Sequence, residues 1–267
     1  MSFHGDEGLP PIPREVLREH AGWRFELVWQ IVDSHWTYRL SRSGHAPRYL
    51  KCMPTGGYPT VEGEVARTRW LAPYVTVPVV LGHGEDGDRG WLLTAGCPGL
   101  DGTQVEYGDD PRDLIRALAR GLRRFHDAVP VADCPFDFRL DRALEHVARR
   151  VRDGVAEHAD FHEEFAHLTV ESGLSRLLDT RPASEDLVVC HGDYCAPNAL
   201  VDEGEVSAFI DLGEVGVADR WWDVAVGTWS VGWNYGPGLE DVFLDAYGIE
   251  RDEEQMAYYR LLYDLSS

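Results

Sequence analysis

Short apolar runs, broken repeatedly by glycine and proline, fill the first hundred residues of the chain. Runs of this length that are rich in Val, Trp, Tyr and Leu predict β-strands, here over residues 24–32, 36–40, 48–52, 75–81 and 90–95. One helix is predicted among them, over residues 61–72, because its apolar residues recur at helical spacing. Glu62 and Glu64 fall in its first turn, where a helix N-terminus favours negative charge. The pattern therefore predicts a β-sheet with one inserted helix.

The pattern changes at residues 94–102, where the letters T-A-G-C-P-G-L-D-G are typical of a hinge. Helical spacing then dominates: one helix is predicted to begin at Pro111 after the cap Asp110, and others lie over 139–156, 161–178, 221–231, 240–247 and 253–263. A short strand over 187–190 and a hairpin turning at Glu203-Gly204 are predicted among them. We therefore expect an α+β protein with a β-rich N-terminal lobe at 1–95, a hinge at 96–102 and a helical C-terminal lobe at 103–267.

Composition and charge narrow the possible partners. The 267 residues are 44% hydrophobic and 27% charged, which is ordinary globular usage. The formal net charge of -21 would repel nucleic acid and anionic membranes, so we expect cationic or neutral partners. The five cysteines form no C-x-x-C pair, the first residues carry no signal-peptide pattern, and the longest uncharged apolar stretch, 70–82, is too short and proline-broken to cross a bilayer. We expect a cytoplasmic protein without a membrane span.

One polar motif carries the chemistry. His191-Gly192-Asp193 follows the predicted strand 187–190, Asn198 comes after four more residues, and Asp211 precedes Leu212-Gly213. A loop Asp and Asn with this spacing, followed by an Asp before a Gly, is the arrangement that protein kinases use to orient a hydroxyl and hold Mg²⁺. The alternative is a polar turn between two strands whose side chains satisfy local backbone groups. The motif favours phosphoryl transfer.

The only lysine of the chain, Lys51, ends an apolar run on a predicted strand. A phosphotransferase needs a cation on the nucleotide phosphates that is held by a carboxylate, and a compact ammonium suits this task. Glu64 and Glu62 are the possible partners, and they point to different faces of the predicted helix. We choose Glu64. A surface lysine without a function is the alternative.

Several stretches of the chain resemble the aminoglycoside 3'-phosphotransferases, small antibiotic-resistance kinases with a protein-kinase-like fold. The resemblance covers most of the chain and rests on L-V-V-C-H-G-D-Y-C-A-P-N-A-L-V-D, F-I-D-L-G-E-V-G-V-A-D-R-W-W-D-V-A, C-P-F-D-F-R-L-D, G-E-V-A-R-T-R-W-L and Y-Y-R-L-L. It implies a two-lobed protein-kinase-like fold that binds ATP, with GTP as a possible substitute, together with Mg²⁺.

The resemblance also implies roles for individual residues. Asp193 would be the catalytic base, Asn198 and Asp211 would bind Mg²⁺, and Lys51 with Glu64 would bind the nucleotide phosphates. Further nucleotide contacts would come from Ser34, in the loop after the first strand, and from the hinge residues Thr94, Ala95 and Gly96. Asp223 would brace the catalytic loop, while His191 would be structural.

Acidic residues are expected to bind the polycationic sugar. In the resembling family these come from the helical region and the C-terminus, and here the candidates are Asp160, Glu163, Glu164 and Asp264. Carboxylates are the natural counter-groups for ammonium-bearing sugars. The alternative is that Glu163 and Glu164 lie on a solvated helix face.

The chain departs from the family pattern at three places. His35 and Trp36 add bulk after Ser34, Glu214 and Val217 stand where arginines are common, and residues 263–267 read Y-D-L-S-S in place of an acidic and aromatic ending. We expect these differences to change the affinity for the nucleotide or the choice of nucleotide, and the range of antibiotics that the protein accepts.

The sequence therefore predicts an ATP-dependent kinase that phosphorylates a hydroxyl of an aminoglycoside, with the 3' hydroxyl as first choice, and so confers resistance. A kinase of the same superfamily acting on another antibiotic or small alcohol is the alternative. A non-catalytic nucleotide-binding regulator is a second alternative. The sequence leaves open which antibiotic and hydroxyl are used and which oligomer forms.

Overall fold

A computed structural model describes residues 10–31, 34–156 and 161–266. The chain divides into two compact units. Unit 1 comprises the residues up to Pro98 together with Ala208–Gly213, and unit 2 comprises Gly99–Ser207 and Glu214–Ser267. Within the described ranges, no helix is both long and apolar enough to cross a membrane.

Unit 1 is built on an antiparallel five-stranded sheet. Its elements are α1 (Arg14–Glu19), β1 (Arg24–Ile31), β2 (His35–Ser41), β3 (Arg48–Pro54), α2 (Val61–Leu71), β4 (Val80–Asp86) and β5 (Arg89–Ala95), and the strand order is β1-β2-β3-β5-β4. Alternate residues of β2 are buried, so that Trp36, Tyr38 and Leu40 face one core. The predicted sheet with one inserted helix is confirmed.

The fourth strand lies further along the chain than the sequence predicts. We expected a strand over 75–81, whereas β4 spans Val80–Asp86 and ends in polar residues. Pro78 has no backbone N–H for a strand ladder, and β4 lies at an edge of the sheet, where polar side chains are tolerated. The apolar run before it is irregular chain.

Unit 2 consists mainly of helices with two small sheets. Its elements are β6 (Leu100–Asp101), α3 (Arg112–Ala128), α4 (Leu140–Asp153), α5 (Val170–Asp179), β7 (Leu187–Cys190), β8 (Ala199–Asp202), β9 (Glu205–Phe209), β10 (Gly216–Asp219), α6 (Trp221–Tyr235), α7 (Glu240–Tyr247) and α8 (Glu253–Ser266). Strand β7 pairs antiparallel with β10, and the second sheet has the order β6-β8-β9. The hairpin between β8 and β9 turns at Glu203 and Gly204 as predicted, and both have positive φ, as a two-residue type I' turn requires.

Three helix boundaries differ from the predicted ones. Helix α3 begins at Arg112, one residue later than expected. The Arg112 backbone N–H donates to Asp110 Oδ1 at 3.0 Å, so the Asp110 side chain still satisfies a backbone donor of the first turn. Helix α4 ends at Asp153 because Gly154 adopts the left-handed conformation that terminates helices. The helix predicted over 161–178 is a short 3₁₀ turn, Glu163–Phe165, followed by α5, which starts anew because Thr169 caps it.

Candidate active site

The loop that follows β7 is clamped by a buried carboxylate. Asp223, near the start of α6, accepts hydrogen bonds from the backbone N–H groups of His191 at 2.6 Å and Gly192 at 2.9 Å. It also contacts His126 Nε2 at 2.9 Å, and both of these side chains are fully buried. Gly192 has a φ of 92°, and a Cβ there would lie 2.5 Å from the carbonyl oxygen of Glu214. The loop therefore needs glycine at this position and has a fixed shape.

Asp193 lies at the tip of this clamped loop with three donors on its carboxylate. Asn198 Nδ2 donates to Oδ2 at 2.8 Å and to the Asp193 backbone carbonyl at 2.9 Å. Tyr263 Oη, from α8, donates to Oδ1 at 2.9 Å, and Cys195 Sγ donates to the same oxygen at 3.2 Å. Burial, reinforced by the charge of Asp193, raises the pKa of Tyr263 well above its usual value, so the phenol remains a donor. The structure brings Asp193 and Asn198 together.

Unit 1 holds a second polar cluster around Lys51. Its Nζ, on β3, donates to Glu64 Oε2 at 3.0 Å and to Asp211 Oδ1 at 2.5 Å. Burial alone would lower the pKa of Lys51, but the carboxylates of Asp211 and Glu64 outweigh it and raise the pKa above its usual value. The predicted choice of Glu64 over Glu62 agrees with this geometry, since Glu64 is buried and Glu62 is exposed.

The backbone at Asp211 fits the same cluster. Asp211 has a φ of 58°, in the left-handed region that Asp tolerates better than most residues. Two residues later, a Cβ on Gly213 would lie 2.6 Å from Pro59 Cγ. The Asp-Leu-Gly pattern thus supplies one residue that can turn the chain toward Lys51 and one that leaves room for Pro59.

Ser34, which is also predicted to contact the nucleotide, already forms hydrogen bonds within unit 1. The Ser34 hydroxyl contacts His35 Nδ1, and the Ser34 carbonyl accepts a hydrogen bond from Arg89 Nη1 at 2.7 Å. Burial, with a smaller contribution from Lys51, lowers the pKa of His35. Arg89 is thus a cation beside Ser34, and no motif in the sequence indicates it.

The hinge residues Thr94 and Ala95 are the last residues of β5, and Gly96 follows the strand. The backbone N–H of Ala95 donates to Val79 O, and that of Gly96 donates to Pro47 O, both at 2.9 Å. These two N–H groups can therefore donate to adenine only if their present hydrogen bonds break. We expect adenine to contact other backbone atoms of the hinge.

The predicted acceptor-binding acids do not form one cluster in the described part of the chain. Asp160 lies outside the described residues. Glu163 and Glu164 are exposed, and Glu164 forms an ion pair with Arg260 at 3.5 Å. The Asp264 side chain is fully buried, accepts a hydrogen bond from the His162 backbone N–H at 2.9 Å and contacts the His162 ring. In the described chain Asp264 therefore holds His162, and a role for Asp264 in binding a substrate stays a prediction.

The two predicted Mg²⁺ ligands, Asp211 in unit 1 and Asn198 in unit 2, each carry a group that suits the expected cation. Magnesium prefers carboxylate, amide and phosphate oxygens, and Asp211 and Asn198 offer oxygens of the first two kinds. The Asn198 amide nitrogen is turned to Asp193, which leaves the amide oxygen on its other side. No thiolate or imidazole belongs to this set, so it suits a hard ion.

The fold and these two clusters define a protein-kinase-like phosphotransferase. The chain belongs to the Phosphotransferase enzyme family, whose family model matches residues 17–259, and within it to the aminoglycoside phosphotransferases. An aminoglycoside 3'-phosphotransferase of Streptomyces fradiae is 39% identical over 212 residues, which cover 76% of this chain and 78% of that protein.

Solved structures agree with this family. An aminoglycoside 3'-phosphotransferase of type VIII gives a TM-score of 0.85 at 33% identity and covers 94% of this chain and 97% of its own. An aminoglycoside phosphotransferase of Streptomyces rimosus in complex with ADP and streptomycin gives 0.77 at 26% identity, with 94% and 96% covered. The resemblance, the fold class and the enzyme class expected from the sequence, an aminoglycoside O-phosphotransferase, are confirmed.

Proposed function

We propose that this protein transfers the γ-phosphoryl group of ATP to a hydroxyl of an aminoglycoside antibiotic, with the 3' hydroxyl as first choice, and thereby confers resistance. The observation that carries the proposal is the Asp193 carboxylate, fixed on a clamped loop by Asn198, Tyr263 and Cys195. A carboxylate held in this way can orient an acceptor hydroxyl and take its proton.

The hydrogen bonds on Asp193 indicate which oxygen does this. An ionised carboxylate offers about four lone-pair positions, two on each oxygen. Tyr263 and Cys195 occupy both positions on Oδ1, whereas Asn198 occupies one on Oδ2. We therefore assign Oδ2 as the oxygen that accepts the proton of the acceptor hydroxyl.

The cluster in unit 1 serves the nucleotide in this proposal. Lys51 offsets negative charge on the phosphates, and Glu64 keeps the ammonium from swinging into solvent. Asn198 and Asp211 would hold Mg²⁺, which supplies charge neutralisation and alignment of the phosphates when bound. Catalysis then consists mainly of positioning and electrostatic stabilisation.

The choice of ATP and of an aminoglycoside has support from relatives. The Streptomyces rimosus enzyme was solved with ADP and streptomycin, so an adenine nucleotide and a cationic sugar bind to a protein of this family. The acidic balance of the chain suits a polycationic acceptor that a cytoplasmic enzyme would meet.

Streptomycin is the second candidate acceptor, because the C-terminal region departs from the 3'-specific pattern. Tyr263 contacts Asp193, and Asp264 is buried against His162. An acceptor site with fewer accessible acids suits a different arrangement of ammonium and guanidinium groups.

The test is turnover by the purified chain. Incubation with ATP, Mg²⁺ and kanamycin, neomycin or streptomycin, followed by mass spectrometry, should give one added phosphoryl group on at least one antibiotic, together with ADP. An unrelated alcohol and the variant Asp193→Asn serve as controls. Phosphorylation by the variant at the wild-type rate, or no phosphorylated antibiotic from the wild type, would contradict the proposal.

A further inference from the structure

A row of four aromatic rings runs through unit 2. Trp229 and Trp233 lie four residues apart on α6, and therefore on one face of the helix, with their rings stacked at 5.9 Å and 25°. The Trp229 ring centroid is 4.0 Å from that of His162, and His162 stacks on Tyr263 at 6.4 Å and 22°. We call these four residues the aromatic row.

The inner end of the aromatic row touches the proposed catalytic base. Tyr263 Oη donates to Asp193 Oδ1 at 2.9 Å. The neighbouring ring, His162, is held by the fully buried carboxylate of Asp264, which accepts its backbone N–H at 2.9 Å and contacts its Nδ1. Two different attachments therefore fix this end of the row.

The outer end lies in solvent. Trp233 is 76% exposed, the largest value among the exposed large hydrophobic residues of the described chain. A single exposed apolar residue is common on protein surfaces. Trp233 differs because its ring belongs to a chain of ring contacts that reaches Tyr263, whose hydroxyl contacts Asp193. Within this chain the Trp229 and His162 rings are tilted by 56°, whereas the other two pairs are stacked.

The chemistry of such a row matches an ammonium-bearing sugar. The face of an indole ring carries negative potential that attracts cations, and its apolar area packs against the C–H face of a pyranose. The carboxylates expected to do this work are partly engaged inside the protein, since Glu164 pairs with Arg260 and Asp264 is buried. Aromatic faces can provide the recognition that these acids do not.

We propose that the aromatic row is the platform on which the rings of the aminoglycoside acceptor lie, with Trp233 contacting the ring furthest from the reacting hydroxyl. This inference rests on the proposed function and deepens it. It makes Trp229 and Trp233 specificity-determining residues for an acceptor of several linked cationic rings. A small monocyclic alcohol would not reach Trp233.

The test compares Trp233→Ala with wild type in steady-state assays with ATP and the antibiotic that the wild type turns over. A surface cation–aromatic contact of ordinary strength corresponds to an increase in the antibiotic KM of about two- to fivefold, whereas kcat and the KM for ATP stay unchanged. Trp233→Phe keeps an aromatic face and should stay closer to wild type. Trp29→Ala removes a 48% exposed tryptophan from β1 and should leave every constant unchanged.

An antibiotic KM for Trp233→Ala equal to that of wild type, with turnover intact, overturns the aromatic row as the acceptor platform and leaves the proposed function standing. An equal increase in Trp29→Ala also overturns it. A wild-type chain that phosphorylates none of the antibiotics refutes the proposed function itself, so the two failures are distinguishable.

Discussion

Removal of a single oxygen atom from Tyr263 tests whether the phenol positions Asp193. Tyr263→Phe keeps the ring and its stacking on His162 but deletes the donor that lies 2.9 Å from Asp193 Oδ1. Cys195 Sγ, at 3.2 Å, then remains as the donor on that oxygen. Because a thiol is a weak donor, the carboxylate loses much of its orientation and Oδ2 no longer has a fixed direction.

The expected loss of rate follows from the charge of the Asp193 carboxylate, which accepts the hydrogen bond from Tyr263. A hydrogen bond to an ionised group contributes about 1.5–3 kcal/mol. If this orientation matters in the transition state, kcat should fall by about tenfold to about a hundredfold, since each 1.36 kcal/mol is a factor of ten in rate. The KM values for ATP and for the antibiotic should change little, because the ring of the aromatic row remains.

The matched control lies on the same helix. Tyr258 is also buried on α8, but its Oη has no hydrogen-bond partner among the residues that the structure describes, so Tyr258→Phe removes an equivalent oxygen without affecting Asp193. Both variants are assayed by ADP release at saturating substrates and by thermal unfolding. A kcat of Tyr263→Phe within a factor of two of wild type, or an equal loss in both variants, would refute the positioning role.

Three further predictions concern the two clusters and the packing of unit 2. Asp193→Ala should lower kcat by about 10²- to 10⁴-fold while ATP affinity, measured by calorimetry, stays near the wild-type value, and full turnover would remove Asp193 from the chemical step. Lys51→Arg should lower kcat/KM for ATP, because a planar guanidinium fits poorly where the ammonium lies 2.5 Å from Asp211, and an unchanged value in the ADP-release assay would argue against the nucleotide role. Gly121→Ala should lower the free energy of unfolding by about 1–3 kcal/mol in denaturant titrations although alanine favours helices, since its Cβ would lie 2.4 Å from Val206 Cγ2, and a stabilised variant would show that the packing can adjust.

Local patterns in the sequence were sufficient to predict contacts between residues that lie close together in the chain. The spacing of Asp193 and Asn198 within one loop predicted two residues whose side chains are hydrogen-bonded to each other at 2.8 Å. The hairpin at Glu203-Gly204 followed in the same way, because few residue pairs accept positive φ twice in succession. For the partner of Lys51, helical periodicity showed only that Glu64 and Glu62 lie on different faces, and the family resemblance supported the choice of Glu64.

Contacts between residues far apart in the chain could not be predicted from local sequence patterns. Tyr263 approaches Asp193 from 70 residues away, and Asp264 meets His162 across 102 residues. No local signal distinguishes an acid that faces a substrate from one that is buried against an imidazole, so the sequence could not show that Asp264 is buried and contacts His162. The position of β4 was predicted wrongly for another reason. The apolar residues before it favour a strand, but Pro78 has no backbone N–H that could donate to a neighbouring strand.

The solitary ammonium of the chain also gives a way to observe local opening of unit 1. Acylating reagents attack only the neutral amine, and Lys51 is kept protonated by two carboxylates with 17% of its side chain accessible. Acylation of this side chain in the native protein should therefore be slow until its ion pairs with Glu64 and Asp211 open. Since the chain has no other lysine, the acylation rate of the peptide that contains Lys51, measured apart from acylation of the N-terminal α-amino group, reports how often this part of the fold opens.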